Sequence, residues 1–326
     1  MSNKKFRPGF TFALTVFSLF LFAGCRRMQR AHNEVIADHN HAASETVSRA
    51  DADAQEWAKQ RLAKSPRHQE WVKVKYKPAG ATAEREVSAF VVYPEVKNKA
   101  AAVLVIHEIF GMSDWVQSLT DQLAEAGYVA IAPDLLSGMG PNGGGTAEIR
   151  VQDANAVGKA IRDLPPAQIT ADLDAVAAYV SNLPASNGKL AVTGYCWGGT
   201  QTFRYATNNP KLQAAFVFYG SAPVKEDQKT IDKDALARIK APVYGFYAGN
   251  DARINATLPA TTETMKELGK KYEPVTYEGA GHGFMRAGDA PPPANDAEQK
   301  AKDDYAANKK ARDDAWIRWK GILSKI

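Results

Sequence analysis

Six short, largely apolar runs punctuate the chain after residue 100: Ala101–Ile106, Tyr128–Ala132, Leu190–Thr193, Ala214–Tyr219, Val243–Tyr247 and Pro274–Tyr277. A strand that shows no polar face must be covered on both sides. Between the runs, Asp114–Ala126, Ala147–Arg162, Ile169–Asn182, Gly199–Thr207, Ala260–Lys271 and Ala297–Leu323 have helix-forming composition or apolar residues at helical spacing. Strand and helix in alternation predict an α/β architecture, a mostly parallel central sheet with helices on both faces. Upstream, Trp71–Tyr76 alternates apolar and polar residues, and Val87–Tyr93 is rich in β-branched and aromatic ones. The two are expected to pair across Lys77–Glu86. No internal repeat and no second core are visible, so residues 69–326 read as one domain. In such a sheet the functional loops gather at the C-terminal ends of the strands.

Composition excludes several alternatives. Hydrophobic residues make up 45% and charged residues 24% of 326, which is unlike a disordered chain or a multi-span membrane protein. Two cysteines exclude a disulfide framework and a cysteine-only zinc site.

The sharpest motif is Gly194-Tyr-Cys196-Trp-Gly198-Gly199, which follows the apolar Lys189–Thr193 and precedes a helical stretch. This is a nucleophile elbow, G-x-nucleophile-x-G, with cysteine in the nucleophile's place. Small residues two before and two after let strand and helix pass close together. The thiol then projects above the sheet at a helix N-terminus, which favours a thiolate. The bland alternative is a buried structural cysteine in a Gly-rich turn.

An activated nucleophile needs a base, and the base needs an orienter. The chain order for this elbow is nucleophile, acid, histidine. Downstream, Tyr247-Ala-Gly249-Asn-Asp251 ends one strand with a carboxylate. Further on, Tyr277-Glu-Gly-Ala-Gly281-His282-Gly-Phe284 ends another with the only histidine after His107. Cys196, Asp251 and His282 are therefore expected on one sheet edge as a catalytic triad. Two backbone N–H groups must face the developing oxyanion. Trp197, next after the nucleophile, and Ile109, in the loop after Val103–Ile106, are the expected donors.

Together His107-Glu108-Ile109-Phe110-Gly111, the cysteine elbow, Gly249-Asn-Asp251 and Gly279-Ala-Gly281-His282-Gly-Phe284 resemble the dienelactone hydrolase (carboxymethylenebutenolidase) family of α/β-hydrolases, from about Ala101 to the last helix. The resemblance implies the α/β-hydrolase fold. It also implies hydrolysis of an ester or lactone by Cys196, Asp251 and His282 through an acyl-thioester, with no metal or organic cofactor. It further implies that Glu108 modulates the thiol, the alternative for Glu108 being a structural salt-bridge partner, and that Arg286 holds a substrate carboxylate. The family's second carboxylate-binding arginine has no gapless match; Arg150 and Arg162 lie in that segment but are displaced. The segment instead carries Gly138–Gly145, read as a flexible rim loop, and a Pro-rich stretch, Asp289–Asp296, follows the histidine. These departures leave two alternatives open: a general carboxylesterase indifferent to a carboxylate, and a non-catalytic envelope binding protein retaining the fold. A thiol redox role is disfavoured because no C-x-x-C is present.

The N-terminus reads as an address. Lys4, Lys5 and Arg7 precede a charge-free apolar run from Phe10 to Phe22, too short for a membrane span, which takes about 20 residues. A basic head, apolar middle and small-residue exit describe a signal peptide, residues 1–24. Phe22-Ala-Gly-Cys25 resembles a bacterial lipoprotein box, which implies lipid attachment at Cys25 and a periplasmic, membrane-tethered protein. Ordinary cleavage nearby and an uncleaved anchor are the alternatives. Removing residues 1–24 lowers the formal charge from +5 to +2, and with it goes the support for nucleic-acid binding. Residues 25–68 are polar and Ala-rich, with His32, His39, His41 and His68 at no ligand-like spacing. They are expected to form a tether, partly helical near Ala50–Ala63. A small-molecule substrate and a monomeric chain complete the expectation.

Overall fold

The computed structural model describes residues 55–227 and 229–326. Helix α1 (Glu56–Ala63) leads into the antiparallel pair β1 (Gln69–Tyr76) and β2 (Arg85–Val92). Then come β3 (Ala100–Ile106), α2 (Asp114–Glu125), β4 (Val129–Pro133), α3 (Thr146–Gln152), α4 (Ala154–Arg162) and α5 (Pro166–Ser181). The second half contains β5 (Ser186–Tyr195), α6 (Trp197–Asn208), β6 (Ala214–Phe218), α7 (Lys233–Ala237), β7 (Val243–Ala248), α8 (Ala252–Asn255), α9 (Leu258–Glu267), β8 (Tyr272–Tyr277), α10 (Phe284–Ala287) and α11 (Gln299–Leu323).

The strands form one eight-stranded sheet in the order β1-β2-β4-β3-β5-β6-β7-β8. β2 runs antiparallel to β1 and β4, and every pairing from β4 through β8 is parallel. The C-terminal ends of β3, β5, β7 and β8 therefore share one edge. β3 is buried along its whole length, and its side chains alternate between two cores. Leu104 and Ile106 pack with α4, α5 and α6 through Val157, Leu173, Val176 and Phe203. Val103 and Val105 pack on the opposite face with α2 and α11 through Trp115, Leu119 and Trp319. This two-sided burial is the physical reason the runs lack polar residues. In α11 only the stripe Ala311, Ala315, Trp319 and Leu323 is buried, while Lys–Asp pairs four residues apart cover the solvent side.

Three expectations change. Ala147–Arg162 is two helices, because Asp153 is extended and its side chain caps Asn155 N–H at the start of α4. Gly138–Gly145, expected as a flexible rim, is closed on itself by Gly140 N–H to the Gly144 carbonyl. It is anchored where Asp134 accepts from the N–H and hydroxyl of Thr146. The end of the expected tether, Gln55–His68, packs on the domain. Ala58 is fully buried, Gln55 Oε1 accepts from Trp115 N–H at 2.8 Å, and Arg67 forks onto Asp121 at 2.7 and 2.9 Å. The expected signal segment, Cys25 and the rest of the tether lie outside the described residues. Among the described residues no helix is long and apolar enough to cross a membrane.

Candidate active site

Strand β5 ends at Tyr195, and the chain turns directly into α6. Cys196 occupies the turn with φ 55° and ψ −120°, a backbone state that side chains other than glycine adopt only when their surroundings enforce it. The enforcement is visible around it. A Cβ on Gly198 would collide with the carbonyl oxygens of Ile106 and His107, and one on Gly199 with the Phe218 carbonyl. The helix thus sits against the ends of β3 and β6 at a distance only glycine permits, and Cys196 N–H is bonded to the Phe218 carbonyl at 3.1 Å. Cys196 remains partly exposed at the edge of the sheet.

Asp251 follows β7 in a loop tied to the neighbouring strand end, where Gly249 and Asn250 N–H groups donate to the carbonyls of Tyr277 and Ala280. His282 follows β8, and the preceding Gly281 N–H donates to Asn308 Oδ1 on α11 at 2.8 Å. These anchors bring His282 Nδ1 to 2.5 Å from Asp251 Oδ2. The side chains of His282 and Asp251 are 17% and 2% exposed, so the pair is shielded from water. Burial raises Asp251, but the hydrogen bond and charge of His282 outweigh it and hold the carboxyl below its ordinary value. Burial lowers His282; the charge of Cys196 and the bond to Asp251 outweigh it and hold the imidazole up at about 10.

Ile109 lies in the turn after β3, closed by Gly111 N–H to the Glu108 carbonyl at 3.1 Å. Gly111 has φ 69°, and a Cβ there would strike Thr146, so the turn is confined. Trp197 opens α6, where the first N–H groups have no acceptor inside the helix. Both expected oxyanion donors therefore lie in turns at neighbouring strand ends, β3 and the β5 that leads into Cys196 being parallel neighbours. His107, fully buried and lowered by burial, puts Nδ1 2.8 Å from the Glu108 carbonyl and stacks on Trp197 at 5.6 Å.

Glu108 and Arg286, given separate roles by the resemblance, are partners here: Arg286 Nε donates to Glu108 Oε2 at 2.9 Å in a buried ion pair. Arg286 also lies over the Phe110 ring at 5.3 Å. Arg150 donates to the Phe110 carbonyl at 2.7 Å and so braces the loop carrying Ile109. The Arg162 guanidinium lies instead beside Gly158 in α4. Sequence reasoning missed Tyr219. It follows β6 with φ 40°, and its ring meets that of His282 edge-on at 5.0 Å. Its place after an apolar strand was the available signal.

The Dienelactone hydrolase family profile matches residues 87–326. The chain belongs to this family. A protein of Salmonella typhi named "Putative carboxymethylenebutenolidase" is 34% identical over 205 residues, 61% of this chain and 73% of that one. One of the same name from Saccharolobus solfataricus is 30% identical over 268 residues, 74% of this chain and 95% of the relative. Among solved structures, the "Putative Dienelactone Hydrolase" of Klebsiella pneumoniae aligns with a TM-score of 0.60 at 25% identity, covering 79% of this chain and all of that one. Membership makes this dienelactone hydrolase-like protein a hydrolase of ester or lactone bonds, built on the α/β-hydrolase fold.

Proposed function

We propose that the protein hydrolyses a small ester or lactone through a Cys196–His282–Asp251 triad and an acyl-thioester. The observation that carries this reading is the shielded His282–Asp251 pair at 2.5 Å, on the same sheet edge as a thiol held at a strained elbow. An imidazole held up at about 10 is protonated at neutral pH, and in this mechanism the nucleophile beside it is the thiolate form of Cys196. The thiolate attacks the carbonyl carbon. The oxyanion is met by the N–H groups of Ile109 and Trp197. Imidazolium His282 gives its proton to the leaving oxygen, and the acyl group stays on Sγ. The neutral imidazole then takes a proton from water, whose oxygen displaces the thiolate and releases the acid.

Asp251 keeps the His282 ring in the tautomer and orientation that present Nε2 to the thiol. Glu108, occupied by Arg286, leaves His282 as the charged partner of the thiolate, while Arg286 extends along the cleft wall toward substrate. The reading includes an exported chain, cut before Cys25 and lipid-anchored there, acting as a monomer in the bacterial periplasm with residues 69–326 as the catalytic domain.

Small activated esters test the chemistry. Cys196→Ala should abolish hydrolysis, and an alkylating agent should inactivate the wild type stoichiometrically. Full activity in Cys196→Ala or Cys196→Ser would end the proposal.

A further inference from the structure

The Ile109 N–H shares its peptide unit with the Glu108 carbonyl. A trans peptide is planar, and its N–H and C=O point in opposite directions. Whatever fixes the Glu108 carbonyl therefore aims the Ile109 N–H. Two groups do so: Gly111 N–H at 3.1 Å and His107 Nδ1 at 2.8 Å. A carbonyl oxygen only accepts, so Nδ1 carries the proton in this contact. His107 is fully buried, and burial lowers its pKa, which leaves the ring neutral with that single proton. Nε2 is buried without a partner among the described residues, so no acceptor there draws the proton to the other nitrogen.

His107 also touches the segment that carries the second oxyanion donor. Its ring stacks on Trp197, with centroids 5.6 Å and planes 13° apart, which fixes the ring plane that presents Nδ1 to the carbonyl. Its own carbonyl lies where a Cβ on Gly198 would fall, so the end of β3 and the start of α6 are in direct contact there. An oxyanion hole works through donors that need no reorganisation when charge develops. Hydrogen bonds accepted by a peptide carbonyl also polarise that peptide and strengthen its N–H as a donor.

We propose that His107 is a positioning residue for the oxyanion hole: its Nδ1–H, bound to the Glu108 carbonyl, aims and polarises the Ile109 N–H. The proposal rests on the triad reading above, in which an acyl group is transferred to Cys196. His107 itself neither meets the substrate nor moves a proton.

Two substitutions separate the donor from the ring. His107→Phe keeps a flat ring against Trp197 and loses the donor. His107→Asn loses the ring and keeps an amide N–H near the position of Nδ1. Two reactions of the thiol separate the oxyanion from everything else. Acylation by 4-nitrophenyl acetate passes through an oxyanion, whereas alkylation by iodoacetamide forms the carbon–sulfur bond as iodide leaves and makes none. His107→Phe should slow the acylation burst about ten- to hundredfold, less than the loss of a whole donor, through the limiting rate rather than KM. Alkylation should keep the wild-type rate, and His107→Asn should recover most of the lost acylation. Should His107→Phe lose its cooperative thermal transition, His107→Leu, smaller and equally unable to donate, takes its place. Nitrogen NMR of the wild type at pH 7 should show the His107 ring neutral and protonated on Nδ1, its signals being those missing from His107→Asn. Acylation at the wild-type rate in the folded donor-less variant, equal losses of acylation and alkylation, no recovery in His107→Asn, or a proton on Nε2 overturns the positioning role. Failure of the triad reads differently: a wild type with no burst and no acyl group on Cys196 removes the triad, whereas a burst on Cys196 that ignores His107 removes only the positioning role.

Discussion

The charge on His282 is set by two opposed effects. Burial alone would make the imidazole neutral, yet Cys196 and Asp251 hold it up at about 10 from an ordinary 6.5. Cys196→Ala removes the largest raising influence, so the imidazole should titrate lower in that variant, as an NMR titration of the ring would show. The same shift has a consequence for stability. A group raised on folding contributes fully below its unfolded pKa and loses that contribution as pH rises through its folded one. The urea midpoint should therefore fall between pH 7 and 10, and fall less in His282→Gln. Asp251→Asn leaves the ring without its anionic partner and should lower kcat about 10³- to 10⁴-fold with KM little changed. These residues were legible because elbow spacing, chain order and strand-end position are local features. A salt-bridge role for Glu108 was among the readings, but Arg286 as its partner was not, since the pair joins positions 178 apart, and no local pattern says which cation a buried carboxylate meets.

At the scale of elements, the elbow depends on close approach. Gly198→Ala would drive a methyl group into the carbonyls of Ile106 and His107. The expected cost is at least the ~1–3 kcal/mol of core overpacking, seen as a lower Tm together with loss of activity. Helix α1 is held by contacts of unequal worth. Asp121 is 2% exposed and holds both Arg67 and the Ser65 hydroxyl, so Asp121→Ala should cost about 3–5 kcal/mol. Arg61, 40% exposed, pairs with Asp289, and Arg61→Ala should cost about 0–1 kcal/mol. Urea denaturation of the two variants measures the difference. The helix itself was readable from composition. Its docking was not: α1 has a weakly apolar sequence with one fully buried residue, Ala58, and the partners that fix it come from α2 and the turn after α10.

Over the whole molecule, the proposed N-terminal address makes a separate prediction. Cells expressing the full chain and fed a labelled fatty acid should label the protein in the membrane fraction. Cys25→Ser should abolish the label without altering hydrolysis, since Cys25 lies far along the chain from the catalytic domain. Labelling unaffected by Cys25→Ser would remove the anchor.

The sequence by itself determined the α/β class, the positions of the strands and the three residues of the proposed triad. Those follow from periodicity and from spacing within single loops, which depend on neighbours a few residues away. Tertiary structure alone decided the strand order, the pairing of Glu108 with Arg286, the contact of Tyr219 with His282 and the docking of Gln55 on Trp115. Each of these joins distant segments through packing, and packing is set by the summed shape of both cores rather than by any stretch of chain read alone.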